Sequence, residues 1–167
     1  SLSNIASGIV VLITKPFLAG DYIDAAGVSG VVREVGFIHT KIVTVDNKVI
    51  YVPNSDISAS DIVNYSSEPL RRVDLNFEAS YDAPINNVKA ALLKAVNDCG
   101  VFIDDPAVFI SVSQYKESSI EYVVRAWINN ADYWTGYYGL IENVKKEFDA
   151  AGIEMTYNHI NVHMMKD

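Results

Sequence analysis

The sequence predicts an α+β chain. In order it has a short apolar helix, a small five-stranded β domain, an α/β domain of ferredoxin-like order, and a closing strand. Three observations carry this. The opening stretch SLSNIASGIVVLITKPF holds a single charge, Lys15, and an unbroken apolar run from Ile9 to Ile13. Residues 19–64 are short β-branched runs between turn residues, with no helical period. Past Ser66-Ser67-Glu68-Pro69 the pattern becomes strand, helix, two strands, helix. The expected segments are 1–16, 17–66, 67–156 and 157–167.

The helix is expected to start at a cap from Ser1 or Ser3. Ser3, Ala6, Ser7 and Gly8 are small enough to let another helix come close. Asn4 is the one large polar side chain in the run, placed either to cap a neighbouring backbone group or to face water. Lys15-Pro16 ends the helix, because a residue before proline is pushed out of the helical region. At ~1.5 Å per residue the helix is about 20 Å long, too short for a hydrocarbon core of about 30 Å. It is also too apolar for water alone. The stretch therefore reads either as the end of a membrane segment that begins upstream or as a helix packed on protein. In the first case Lys15 and the acidic domain after it lie on the cytoplasmic side.

Five strands come next. Asp21 to Asp24 and Val28 to Val35 are the first two, with Gly30 marking a bulge or sharp bend. Thr40 to Val45 and Val49 to Val52 form a hairpin around Asp46-Asn47, and Pro53 stops it because proline cannot donate to a ladder. Ile62-Val63 is last. After the linker, Val73, Leu75, Phe77 and Ala79 alternate with polar residues as a half-buried strand. Asp82 is expected to cap a helix with Pro84 in its first turn; its stripe runs from Ile85 to Cys99 and Gly100 stops it. Val108 to Ser113 and Ile120 to Ile128 are strands joined at Glu117-Ser118-Ser119. A second helix, capped by Asp132, carries Tyr137, Leu140, Ile141, Val144, Phe148 and Ala151 and ends at Gly152. Gly136 and Gly139 cost that helix about 1 kcal/mol each, so they mark either close packing or an irregular first turn. The order βαββα is the split βαβ arrangement. The tail alternates Ile160, Val162 and Met164 with His159, Asn161 and His163; lacking a partner strand in the chain, it is suited to pair with copies of itself.

Composition narrows function. The chain is 50% hydrophobic and 20% charged, with a net charge of −8, and its pI near 4.8 argues against a phosphate backbone as partner. Cys99 is the single cysteine, which excludes an internal disulfide and a cysteine zinc site; it reads as a small buried hydrophobe. No glycine loop for phosphate, nucleophile elbow or HExxH is present, so neither an enzyme nor a cofactor is expected. His159 and His163 on a strand lie about 13 Å apart at ~3.3 Å per residue, too far to share one metal ion; a ring of symmetry-related histidines would differ. Asp21/Asp24 and Asp104-Asp105 read as solvated or capping acids. Arg71-Arg72 reads as a salt bridge to a neighbouring domain, with anion binding the alternative. Tyr133, Trp134, Tyr137 and Tyr138 read as half core, or as a ligand wall.

Five runs resemble one family. They are KPFLAGDYI (15–23), GVVREVGFIHT (30–40), VIYVPNSDI (49–57), IVNYSSEPLRR (62–72) and EFDAAGIEM (147–155), and they are similar to mechanosensitive channels of small conductance. The resemblance covers nearly the whole chain. It implies a homoheptameric channel in an inner membrane that opens under tension in hypo-osmotic shock and releases ions and small solutes. Residues 1–16 would be the end of the pore-lining transmembrane helix, with further helices in the bilayer upstream. Residues 17–66 would be an Sm-like β domain. The tail residues Ile160, Val162 and Met164 would complete an intersubunit barrel below a cytoplasmic vestibule. The resemblance further implies coupling of helix to β domain through Asn4, Gly8, Pro53 and Asn54, with Ser55 standing where some members carry glycine. Lys15, Pro16 and Phe17 would meet the membrane interface, and Asn64, Pro69, Arg71 and Arg72 would form an interdomain linker. The competing reading is a soluble ferredoxin-like module that binds a small molecule.

Overall fold

The computed structural model describes residues 2–158, 160 and 162. It divides into two compact units, Ser1–Pro69 and Leu70–Asp167.

The first unit opens with helix α1 (Leu2–Thr14). Ser3 therefore lies inside the first turn and is no cap, and Ser1 is outside the described residues. Lys15 adopts φ 48°, and its amide donates to the Val11 carbonyl, closing the helix with one left-handed residue before Pro16. Strands β1 (Tyr22–Ala25), β2 (Val28–Val35), β3 (His39–Val43), β4 (Val49–Pro53) and β5 (Ile62–Asn64) form one antiparallel sheet of order β4-β3-β2-β1-β5. A short helix α2 (Asn54–Ser58) interrupts the chain directly after Pro53. The period of the sequence does not announce it, because five residues are too few to show a repeat. The core gathers Val11, Phe17, Ile23, Val32, Ile42, Val52 and Ile57.

The bulge lies elsewhere than expected. The β2–β3 register shifts between Val32 and Glu34, leaving Arg33 unpaired. Gly30 instead answers a close approach: a Cβ there would stand 2.5 Å from the Val43 carbonyl oxygen.

In the second unit, β6 (Leu70–Ala79), β7 (Phe109–Tyr115) and β8 (Ile120–Asn129) form a sheet of order β6-β8-β7. Helices α3 (Ile85–Cys99) and α4 (Tyr133–Ala150) pack on each other and cover one face of that sheet. Alternate residues of β8, from Ile120 to Ile128, are buried beneath them. Pro84, not Asp82, holds the N-cap position of α3, and the carbonyl of Pro84 accepts from Asn87 and Val88. Asp132 stands at the N-cap of α4 after a single 3-10 turn, without a side-chain capping bond. Gly136 reflects close packing, since a Cβ there would collide with Ile128 Cδ1 and press on Phe102. Gly100 and Gly152 take left-handed φ just past their helices. After α4 the chain returns beside the end of β6, where the Ser80 amide donates to the Glu154 carbonyl. Beyond that point Tyr157, Asn158, Ile160 and Val162 belong to no strand, and Ile160 and Val162 are exposed. Met164, His159 and His163 lie outside the described residues.

Tyr122 is fully buried, and its hydroxyl has no hydrogen-bond partner among the described residues. Burial holds its proton on. An unmet buried hydroxyl costs about 1–3 kcal/mol. Tyr122→Phe is therefore expected to raise the urea midpoint of the protein, by roughly 1 kcal/mol in unfolding free energy.

On the opposite face of the sheet, Lys116 bridges Glu78 (2.6 Å) and Glu121 (2.7 Å). Ser119 donates to Glu78 and Ser113 to Glu121. The Lys116 ammonium, and then these hydroxyls, hold both carboxylates below their usual range. Their folded pKa values lie below the unfolded ones. The stabilisation is thus present above the unfolded carboxylate pKa and fades as pH falls through the folded values. Chemical denaturation between roughly pH 5 and pH 3 should show this loss, and Lys116→Met should flatten the dependence.

Candidate functional site

The candidate site is where α1 meets the β unit. Asn54 opens α2 and is completely buried. Every polar group it presents is used. Its amide donates to the Ile38 carbonyl, its side-chain Nδ2 donates to the Gly36 carbonyl at 2.9 Å, and its Oδ1 accepts from the buried Thr40 hydroxyl at 2.9 Å. Asn54 thereby fastens the β2–β3 turn to the end of β4. Asparagine suits this position because one short side chain offers a donor and an acceptor together.

Helix α1 seats on that fastening at two points. The Ser55 amide, an otherwise open N–H at the start of α2, donates to Asn4 Oδ1 at 3.0 Å. One turn along, Gly8 is buried directly over Asn54. A Cβ at Gly8 would stand 2.5 Å from Asn54 Nδ2 and 2.7 Å from the Phe37 carbonyl oxygen. Asn4 and Gly8 share a helix face because they are four residues apart. Pro53 ends β4 opposite His39 and sets the extended backbone from which α2 turns.

The far end of α1 is tied by Asn64. Its Nδ2 donates to the Pro16 carbonyl (3.1 Å) and to Asp21 Oδ2 (2.9 Å), while its Oδ1 accepts from the amides of Ser66 and Ser67. Phe17 is buried in the core of the unit. Asp21 also accepts from the Leu18 amide, so it serves a turn. Pro69 is the last residue of the first unit.

Several expectations are corrected here. Arg71 and Arg72 are not linker residues; they lie in β6. Arg72 pairs with Asp74 two residues along its own strand, at 2.6 and 2.8 Å, because residues i and i+2 share a strand face. Arg71 stacks over the Tyr133 ring at 3.6 Å. The aromatic group is not half core. Tyr133, Trp134, Tyr137 and Tyr138 stack edge and face on one another along the first turns of α4, and none of the four is buried. Gly136 takes the buried place in that turn, close against Ile128 and Phe102, where a Cβ would force a side chain to shift. Among the described residues no group of His, Cys, Asp and Glu could hold a metal ion, and Asp104 and Asp105 are exposed. Cys99 is half-buried; its thiol donates to the Ala95 carbonyl, and burial raises its pKa.

Thr40, Gly36 and Phe37 belong to the seat, and the sequence did not single them out. A glycine and an aromatic in a β-turn are ordinary, and only the chain path shows that α1 lies on them.

An apolar helix seated on a five-stranded sheet, followed by an α/β unit, defines a class. Residues 1–67 match the family model of the mechanosensitive ion channel β-domain, and residues 73–155 match that of the mechanosensitive ion channel MscS C-terminal domain. The chain belongs to the MscS family of mechanosensitive ion channels. It is 43% identical over 164 residues to a small-conductance mechanosensitive channel of Edwardsiella ictaluri, covering 98% of this chain and 57% of that protein. The crystal structure of Helicobacter pylori MscS in its closed state superposes with a TM-score of 0.91 at 26% identity, covering 99% of this chain and 66% of that one. Arabidopsis thaliana MSL1 shares the fold, with a TM-score of 0.75 at 21% identity, over 94% of this chain and 59% of that one. The chain thus spans about half the length of the curated relatives it matches, from 48% to 59%. Among the described residues no helix is long and apolar enough to cross a membrane.

Proposed function

We propose that this chain is the vestibule portion of a mechanosensitive channel subunit, which in full length opens under membrane tension and releases ions and small solutes during hypo-osmotic shock. One observation carries the reading. Helix α1 is held to the β unit at Asn4, Gly8 and Asn64, yet its remaining faces expose Leu2, Ile9, Val10, Leu12 and Ile13. A helix so apolar and so firmly seated suits the end of a pore-lining segment, its other faces met by lipid or by copies of itself. Lys15 and Pro16, both exposed, then stand at the membrane interface on the cytoplasmic side of an inner membrane; Phe17, expected beside them, instead packs into the core of the β unit, where it anchors the helix end. Asn64 and Pro69 end the β domain.

The partners are further copies of the chain, seven in a ring. Ile160 and Val162, exposed here, gain neighbours on both sides when the tails close into a barrel, which leaves no open edge. Met164 would join them. The competing soluble-module reading leaves the exposed face of α1 without purpose. Patch clamp of membranes holding the full-length protein tests the proposal. Suction should open a conductance, and its absence at tensions that rupture the patch overturns the channel reading.

A further inference from the structure

On the outer face of the first sheet, at the β2–β3 turn, opens a cleft of about 300 Å³. That is the lower end of the size range for small-molecule pockets. Strand pairing builds it. Glu34 of β2 stands opposite Lys41 of β3, and Lys41 opposite Tyr51 of β4, so the three form one row. Thr40 and Ile42, on either side of Lys41, are fully buried, which places Lys41 on the face away from the core. Phe37 and Ile38 of the turn supply apolar wall and are 71% and 41% exposed. Glu34 and Lys41 are opposite in charge and in register, yet no ion pair joins them. Neither side chain makes an ion pair or hydrogen bond among the described residues. In the second sheet, by contrast, Lys116 pairs with both Glu78 and Glu121.

We infer that this cleft binds a free α-amino acid with an apolar side chain, its ammonium on Glu34, its carboxylate on Lys41 and its side chain against Phe37, Ile38 and Tyr51. The charge pattern selects this class. A simple anion meets Lys41 but is opposed by Glu34. A simple cation meets Glu34 but is opposed by Lys41. A neutral apolar molecule leaves both charges unanswered. An α-amino acid carries its two charged groups on one carbon. They are therefore close enough to meet two side chains from directly opposite strand positions, whose Cβ atoms lie about 5 Å apart. His39 also lines the cleft, and its ring N–H is a further donor for the carboxylate. The inference goes beyond the channel reading and does not depend on what covers α1.

Saturation-transfer NMR of ligands added to the full-length protein in detergent tests it, with empty micelles as the baseline. Three probes share one side chain: leucine, 4-methylpentanoate, which lacks the ammonium, and 3-methylbutylamine, which lacks the carboxylate. Leucine should bind about fivefold more tightly than either, the upper end of what one exposed ion pair contributes. Glu34→Gln should lower leucine affinity about fivefold and raise that of 4-methylpentanoate, whose repulsion it removes. Lys41→Gln should lower leucine affinity by a similar factor and raise that of 3-methylbutylamine. Opposite changes for two probes in one variant are a result that misfolding cannot produce. Equal affinity for the three probes, or leucine binding indifferent to Glu34→Gln, overturns the inference. So does tighter binding of 4-methylpentanoate than of leucine, which would mark a plain anion site, and so does the lack of saturable transfer to leucine. The measurement involves no tension, so a protein that binds leucine but never conducts, or the reverse, separates this inference from the channel reading.

Discussion

Gly30→Ala is expected to lower the unfolding free energy of the β unit by about 3 kcal/mol, the upper end of what overpacking costs. The added Cβ would stand 2.5 Å from the Val43 carbonyl oxygen, 2.9 Å from its carbon and 2.8 Å from Ile42 Cγ2. A flexible side-chain tip could move aside. A strand carbonyl cannot, because β3 is paired on both sides, with β2 and with β4. Relief must come from parting β2 and β3, the centre of the sheet. Hydrogen exchange at the Val32 amide, which donates to Asp21 across the neighbouring turn, should accelerate with the loss of global stability. Gly139→Ala is the contrast. It sits inside α4 with Cys99 Sγ at 3.7 Å, an ordinary contact, so alanine there should stabilise by roughly 0.5–1 kcal/mol. Equal effects at the two glycines would remove the steric argument.

Asn54→Ala is expected to cost about 3 kcal/mol and to change channel recovery. The substitution strands the buried Thr40 hydroxyl, at about 1–3 kcal/mol, leaves the partly buried Gly36 carbonyl without its donor, and opens a void under Gly8. Asn4→Ala removes one partly exposed bond to the Ser55 amide, worth about 1 kcal/mol, and leaves the sheet intact. The pair therefore separates folding from coupling. In the full-length protein, patch-clamp closing and recovery kinetics should shift in both variants, while thermal stability falls strongly only in Asn54→Ala. Unchanged kinetics in Asn4→Ala would leave the Asn4–Ser55 bond a local cap with no part in gating. Gly8→Ala belongs with them. Its Cβ would press on Asn54 Nδ2, so α1 must lift or Asn54 must release Gly36.

The strand runs of the first unit were legible because β-branched residues and turn residues alternate in short blocks. Helices α3 and α4 were legible because their stripes repeat at helical spacing and end in glycine. What local pattern could not supply were contacts between residues distant in sequence. Gly30 looked like a bulge because glycine in a strand has two causes, a kink or a crowding neighbour, and only Val43 decides between them. The aromatic run at the start of α4 looked half core because spacing gives a face but not what lies over it. The buried place in that turn went to Gly136, against Ile128, and none of the four rings joined the core: Tyr133 and Tyr137 are half-buried, Trp134 and Tyr138 exposed. Arg71 and Arg72 come after a linker-like sequence, yet strand pairing with Ile128 and Trp127 takes them into the sheet.

By itself the sequence determined the α+β class, the order of the elements and the family, because these depend on periodicity, turn chemistry and runs of adjacent residues. The tertiary structure alone decided that Asn4, Gly8, Gly36, Thr40 and Asn54 form one seat, and that Glu34, Lys41 and Tyr51 stand in one row along a cleft. Those residues are up to some fifty positions apart. Hydrogen-bond satisfaction and steric fit between them exist only once the chain has folded back on itself.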